Sequence, residues 1–189
     1  DDLQCAFAAF RGFTAGKKEK HICVYALFDN EEVGSATNQG AGATFLKNTL
    51  TRISRSLGYS YDETQAMIAR SFMISADNGH ALHPNHGEYA DPVNAPRLNE
   101  GIVIKLNATD GFSAAFFRDL CRRVEVPTQT FTNRSDIPGG STLGNISNTK
   151  VSMPTVDIGL PQLAMHSSYE TAGTKDTAYL VTACTAFFE

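Results

Sequence analysis

The sequence predicts an α/β fold, a mixed sheet sandwiched by helices, on three observations. Short runs rich in β-branched and aromatic residues, at 21–28, 71–76, 101–106 and 155–161, alternate with stretches of helical apolar periodicity. Two of these runs end abruptly in carboxylates, as do strands whose carboxyl ends border a ligand crevice. At 189 residues, 42% of them hydrophobic, the chain can bury a core as one domain. No repeat, low-complexity tract or linker interrupts it.

Taken in order, 3–13 reads as a helix opened by Asp1 and Asp2, an acidic start that the helix macrodipole favours. The run 21–28 (HICVYALF) reads as a buried strand that delivers Asp29, Glu31 and Glu32 and then Gly34. Adjacent carboxylates leaving a strand point in different directions, so one can bind a metal while its neighbour reaches a water. On that reasoning Glu32 is the candidate ligand and Glu31 the candidate general base; the competing reading is a solvated acidic turn that caps the next helix.

Residues 40–57 place Phe45, Leu46, Leu50, Ile53 and Leu57 on one stripe, predicting a helix packed on the sheet, and Gly58 stops it. A second scaffold helix is expected over 61–71, with Ala66, Met67 and Ile68 inward. The strand at 71–76 then delivers Asp77, His80, His83 and His86 within ten residues, either a metal pair of Asp77 with His80 or a polar loop of ordinary hydrogen bonds. Lys105 is conspicuous inside the β-branched run 101–106: it faces solvent at an edge or sends its ammonium into a pocket. A helix at 112–124, with Phe116, Phe117, Leu120 and Cys121 inward, precedes a strand at 128–131.

The glycine-rich loop 134–144 lacks both the GKS/T ending of a P-loop and dinucleotide GxGxxG spacing. It is either a tight turn or a place where Gly139 and Gly140 let backbone approach a substrate, with Asp136 or Ser141 orienting its neighbours. His166 follows the last strand alone, a pattern more often structural than ligating. An amphipathic helix at 176–188 closes the chain.

The net charge of −4 offers no basic stripe for nucleic acid or an anionic membrane. No apolar run of membrane-spanning length and no leader is visible. Cys5, Cys23, Cys121 and Cys184 lack CxxC spacing and read as buried free thiols of a reducing, cytoplasmic protein, so a thiolate zinc site is not expected.

Five motifs carry a resemblance: DNEEVGS at 29–35, SADNGHALHPN at 75–85, LNEGIVIKLN at 98–107, RSDIPGGSTLGNIS at 134–147 and PTVDIGLPQLAMHS at 154–167. In this order, over nearly the whole chain, they resemble the M18 family of metallo-aminopeptidases, most closely its aspartyl aminopeptidase branch. The resemblance implies a zinc-peptidase (phosphorylase/hydrolase-like) fold and removal of an unblocked amino-terminal Asp or Glu from peptides. It implies two divalent metal ions, Zn2+ with Co2+ or Mn2+ as alternatives, bridged by Asp1, with Asp2 the neighbouring alternative. Asp77 is implied to hold one ion, and Glu32 with His166 the other, Glu170 supporting His166.

The resemblance also gives His80 a place beside the scissile carbonyl and leaves His83 and His86 as loop residues. Lys105 would pair with the acidic side chain of the substrate, since a buried cation is left unpaired when leucine binds. The family further implies that 1–189 is the carboxyl-terminal portion of a catalytic domain, with an upstream segment bearing another histidine ligand, an inserted dimerisation domain and dodecameric homo-oligomers. The family pattern has several more residues at 107–111, so either the loop is shortened or those residues are missing here. Two other functions remain: an M18-like enzyme for neutral amino-terminal residues, which Lys105 argues against, and a non-catalytic assembly subunit that keeps the fold.

Overall fold

A computed structural model of the chain describes residues 1–137, 139–140 and 143–189. Its helices are α1 (Leu3–Ala15), α2 (Phe45–Ser56), α3 (Tyr61–Ala69), α4 (Gly111–Arg123), α5 (Leu143–Asn148) and α6 (Thr174–Phe187). Its strands are β1 (Met73–Ala76), β2 (Gly79–His80), β3 (Ile102–Lys105), β4 (Thr128–Phe131), β5 (Thr155–Gly159), β6 (Pro161–Leu163) and β7 (Thr171–Ala172). The main sheet runs β1-β5-β3-β4, with β1 parallel to β5, β3 parallel to β4, and β3 antiparallel to β5. It is therefore the mixed sheet expected. A small second sheet, β2-β6-β7, extends from its end.

Period-2 alternation divides the main sheet into two unlike faces. Ile102, Ile104, Val156 and Ile158 join Cys5 and Ala8 of α1, Phe117 and Cys121 of α4, and Leu180 and Cys184 of α6 in one core. Phe117 is fully buried, so truncating it to alanine costs on the order of 3–5 kcal/mol. Helices α1 and α6 meet closely because Gly12 faces Cys184, whose Cβ would lie 2.3 Å from a Cβ added at position 12. The opposite face carries Ser75, Asp157 and Lys105, all buried, with α5 resting on β1 and β5.

Local signals set the helix starts. Ser60 and Glu63 form a reciprocal capping box on α3, and Asp110 caps α4 by accepting from the Ser113 amide at 2.8 Å. Asp176, in the first turn of α6, is fully buried and accepts from the amides of Asn99 (2.7 Å) and Gly101 (3.1 Å), fixing the chain that enters β3.

Several expectations are corrected. The run 21–28 belongs to no described ladder, and Ile22 and Leu27 are 52% and 63% exposed. Its pattern suits a strand, but ladder bonds need a partner strand and no described segment pairs with it; Tyr25 instead donates its hydroxyl to the Ala6 carbonyl on α1 (3.0 Å). Helix α2 starts only at Phe45 and packs on α3 rather than on the sheet, leaving Phe45 and Leu57 exposed and burying Ser54 against Thr64. On α3, Thr64 and Ile68 are buried while Ala66 is exposed. Cys23 is only half-buried. Among the described residues no helix is long and apolar enough to cross a membrane.

Candidate functional site

Asp1 stands two residues before the start of α1, and its side chain is 8% exposed. Glu31 and Glu32 lie in a tight turn whose flanks, Asn30 (φ 62°), Gly34 (φ 106°) and Ser35 (φ 44°), are all left-handed. His166 lies beyond β6 in a second turn, itself left-handed (φ 66°) after left-handed Ala164 (φ 54°). Left-handed backbone costs a non-glycine residue roughly 1–2 kcal/mol, so both turns hold unfavourable conformations that aim these two side chains. His166 Nε2 lies 3.2 Å from Asp1 Oδ2 and 3.1 Å from Glu32 Oε1. Its backbone amide donates to Glu170 Oε1 (2.8 Å), and Glu170 Oε2 also meets the chain's amino group at 2.7 Å.

Asp77 leaves the carboxyl end of β1, and its Oδ2 is 3.5 Å from Lys105 Nζ. Lys105 ends β3, an interior strand, and is 6% exposed; it lies buried in the pocket rather than at a solvated edge. Its ammonium donates to the Asn78 carbonyl at 2.9 Å. All seven predicted residues, Asp1, Glu31, Glu32, Asp77, His80, Lys105 and His166, line one cavity of about 640 Å³. Among the described residues within it, only Asp1, Glu32 and His166 converge, with ligand atoms within 4.8 Å of one another; Asp77 stays with Lys105.

Crowding of anions shapes the electrostatics. Burial first, and then Asp77, pushes the Asp2 carboxyl up to about 7. Burial, Asp77 and Glu32 together raise Glu31 above the usual carboxylate range. The His80 ring is held below its ordinary value by desolvation and by His166 and Lys105, which keeps it neutral.

Two carboxylates and an imidazole suit a zinc-like cation. Separations of 3.1–3.2 Å match the edges, about 3.3 Å, of a tetrahedron with metal bonds of about 2.0 Å. Asp1 Oδ1 is buried without a hydrogen-bond partner, which a cation would supply. The residues present therefore fit a metal.

A family model described as Aminopeptidase I zinc metalloprotease (M18) matches residues 1–188. The chain belongs to the M18 family. The "Probable M18 family aminopeptidase 2" of Clostridium novyi is 46% identical over 184 residues, covering 95% of this chain and 42% of that protein. Among solved structures, a chain of the Ape4 and Nbr1 complex is 36% identical with a TM-score of 0.93, covering all of this chain and 38% of that one. The mApe1 dodecamer of S. cerevisiae is 30% identical with a TM-score of 0.83, covering all of this chain and 44% of that one. The chain thus spans less than half the length of each of these M18 relatives.

Other residues of this M18 cavity escaped the sequence reading. His83 and His86 are part of its wall, with ring centroids 5.1 Å apart, and Tyr89 stacks next at 5.8 Å. An aromatic residue in a histidine-rich loop was the available signal. In the glycine-rich loop Arg134 lines the cavity beside Gly140, one of the two glycines expected to allow close backbone approach, while Asp136 is exposed and paired with Arg134 (Nε to Oδ1, 2.6 Å). Arg134 also donates to the Glu88 carbonyl, tying this loop to the 3-10 turn Gly87–Tyr89. Ser141 lies outside the described residues.

Proposed function

We propose that the chain is the metal-bearing, carboxyl-terminal portion of the catalytic domain of an aminopeptidase that releases an unblocked amino-terminal Asp or Glu from peptides. The observation that carries the reading is the Asp1–Glu32–His166 cluster, opening on a cavity that also holds Glu31, His80 and Lys105. Glu32, His166 and Asp1 would hold one divalent ion, zinc by the family's description, and Asp77 would hold a second. Bound there, the metal polarises the scissile carbonyl and acidifies water.

Glu31 takes the proton of the attacking water on its carboxylate and returns it to the leaving amine; its upward shift brings it toward the operating pH of a base. Neutral His80 donates a ring N–H to the developing oxyanion. The Lys105 ammonium, buried in the cavity wall, meets the carboxylate of the substrate's first side chain. On this reading the assembled protein is a homo-oligomer, as the mApe1 relative is a dodecamer.

The test is a competition between two peptides that differ only in an amino-terminal Asp or Leu, with and without chelator, using wild type and Lys105→Met. Preferential release of Asp, lost on chelation and lost in Lys105→Met while Leu release persists, is expected. Preferential release of Leu would leave Lys105 only as the counter-ion of Asp77. Cleavage of neither peptide with zinc supplied would leave the non-catalytic reading.

A further inference from the structure

Two of the acids that the proposed function assigns to metal sit on different elements, Asp1 before α1 and Asp77 after β1, and something must fix their separation. Asn78 follows Asp77 and is 4% exposed. Its side-chain Nδ2 donates to Gln4 Oε1 (2.9 Å) and to the Leu160 carbonyl (3.2 Å). A backbone carbonyl can only accept, which sets the orientation of the amide. Gln4 lies one turn along α1 from Asp1, and its Nε2 donates in turn to Thr177 Oγ1 (2.9 Å) and the Gly173 carbonyl (3.2 Å) at the start of α6. From the other side Lys105 Nζ holds the Asn78 carbonyl at 2.9 Å. The Lys105 stem reaches it across Gly159, where an added Cβ would lie 3.0 Å from Lys105 Cε and 2.2 Å from the Asp77 carbonyl oxygen.

We infer that Asn78 and Gln4 form a positioning pair that sets the spacing of the Asp1 and Asp77 carboxylates. The pair bonds α1 to the end of β1, and Gln4 anchors both to α6. Gln4 is not in the cavity wall, and Asn78, which is, turns its side-chain amide toward α1. Asn78 Oδ1 is buried without a hydrogen-bond partner, which is unfavourable, so the amide is not placed for stability alone. Partners behind metal ligands are worth about 10–100-fold in metal affinity.

The inference rests on the metal-binding reading, and the experiment separates the two. Zinc affinity is measured by chelator competition, alongside the melting temperature of the metal-free protein, for wild type, Gln4→Met, Asn78→Ala, the double variant and His166→Ala. Phe117→Leu serves as a control destabilised in the core. Both single variants lose about 10–100-fold in zinc affinity, and the double variant loses no more than the worse single, because the two side chains act as one unit. Phe117→Leu melts lower yet binds zinc as wild type does. Should His166→Ala lose zinc while Gln4→Met and Asn78→Ala keep it, or should Phe117→Leu lose as much as they do, the positioning role is overturned and the metal site stands. If wild type binds no zinc, both fall.

Discussion

Glu31 and Glu32 are neighbours with different surroundings, and that difference assigns their chemistry. Glu32 turns toward His166, at 3.1 Å, whereas Glu31 lines the cavity outside the three-residue cluster and is raised by burial and by Asp77. Glu31→Gln should therefore lower kcat by about 10²–10⁴ while zinc stays bound, read by steady-state kinetics beside metal analysis. Asp2 gives a pH signature in the metal-free chain. Its folded-state value of about 7 lies above the ordinary 3.8, so the folded state keeps a proton that the unfolded state has released. Stability is fully present below the lower value and declines as pH rises to the upper one. Melting temperature in chelator should fall across that window and then level off, and Asp2→Asn should flatten the slope. The acids at the end of the apolar run stood out in the sequence, but a helix-capping turn explained them as well, and the family pattern was what favoured Glu32 as a ligand. His166 did not stand out: the contact that brings it to Asp1 joins opposite ends of the chain, and only the family pattern marked it.

At the scale of elements, pattern located the helices and most of the strands but not what covers them. The period of α2 was readable, yet its stripe meets α3 instead of the sheet, since a periodic face says nothing of its partner. The same holds for 21–28, whose strand character is complete in sequence but whose ladder requires another segment. Hydrogen exchange should show this directly: in this chain the amides of 22–28 exchange much faster than those of β5, which is paired on both sides. Equal protection would mean that a described or neighbouring segment pairs there. Asp176 is the converse, an acid that looked like an ordinary helix start. It serves two amides in the chain entering β3, and Asp176→Ala should destabilise the fold by about 2–4 kcal/mol in a denaturant titration, each orphaned buried donor costing roughly 1–3 kcal/mol.

For the molecule as a whole, metal and fold are one equilibrium. Asp1 comes from the start of the chain, Glu32 from the turn after 21–28 and His166 from beyond β6, so a cation held by all three cross-links segments that are far apart in sequence. Without it, the carboxylates repel one another and the orphaned Asp1 Oδ1 stays desolvated. Zinc at one hundred times its dissociation constant should add about 2.7 kcal/mol, which for a chain of this size raises the melting temperature by about 5–10 °C. The shift should grow with the logarithm of zinc concentration, reverse with chelator and vanish in His166→Ala. A shift that persisted in His166→Ala would place the binding elsewhere and detach the cluster from the stability of the fold. Acidification should shrink the shift as well, because protons and zinc compete for the same imidazole and carboxylates.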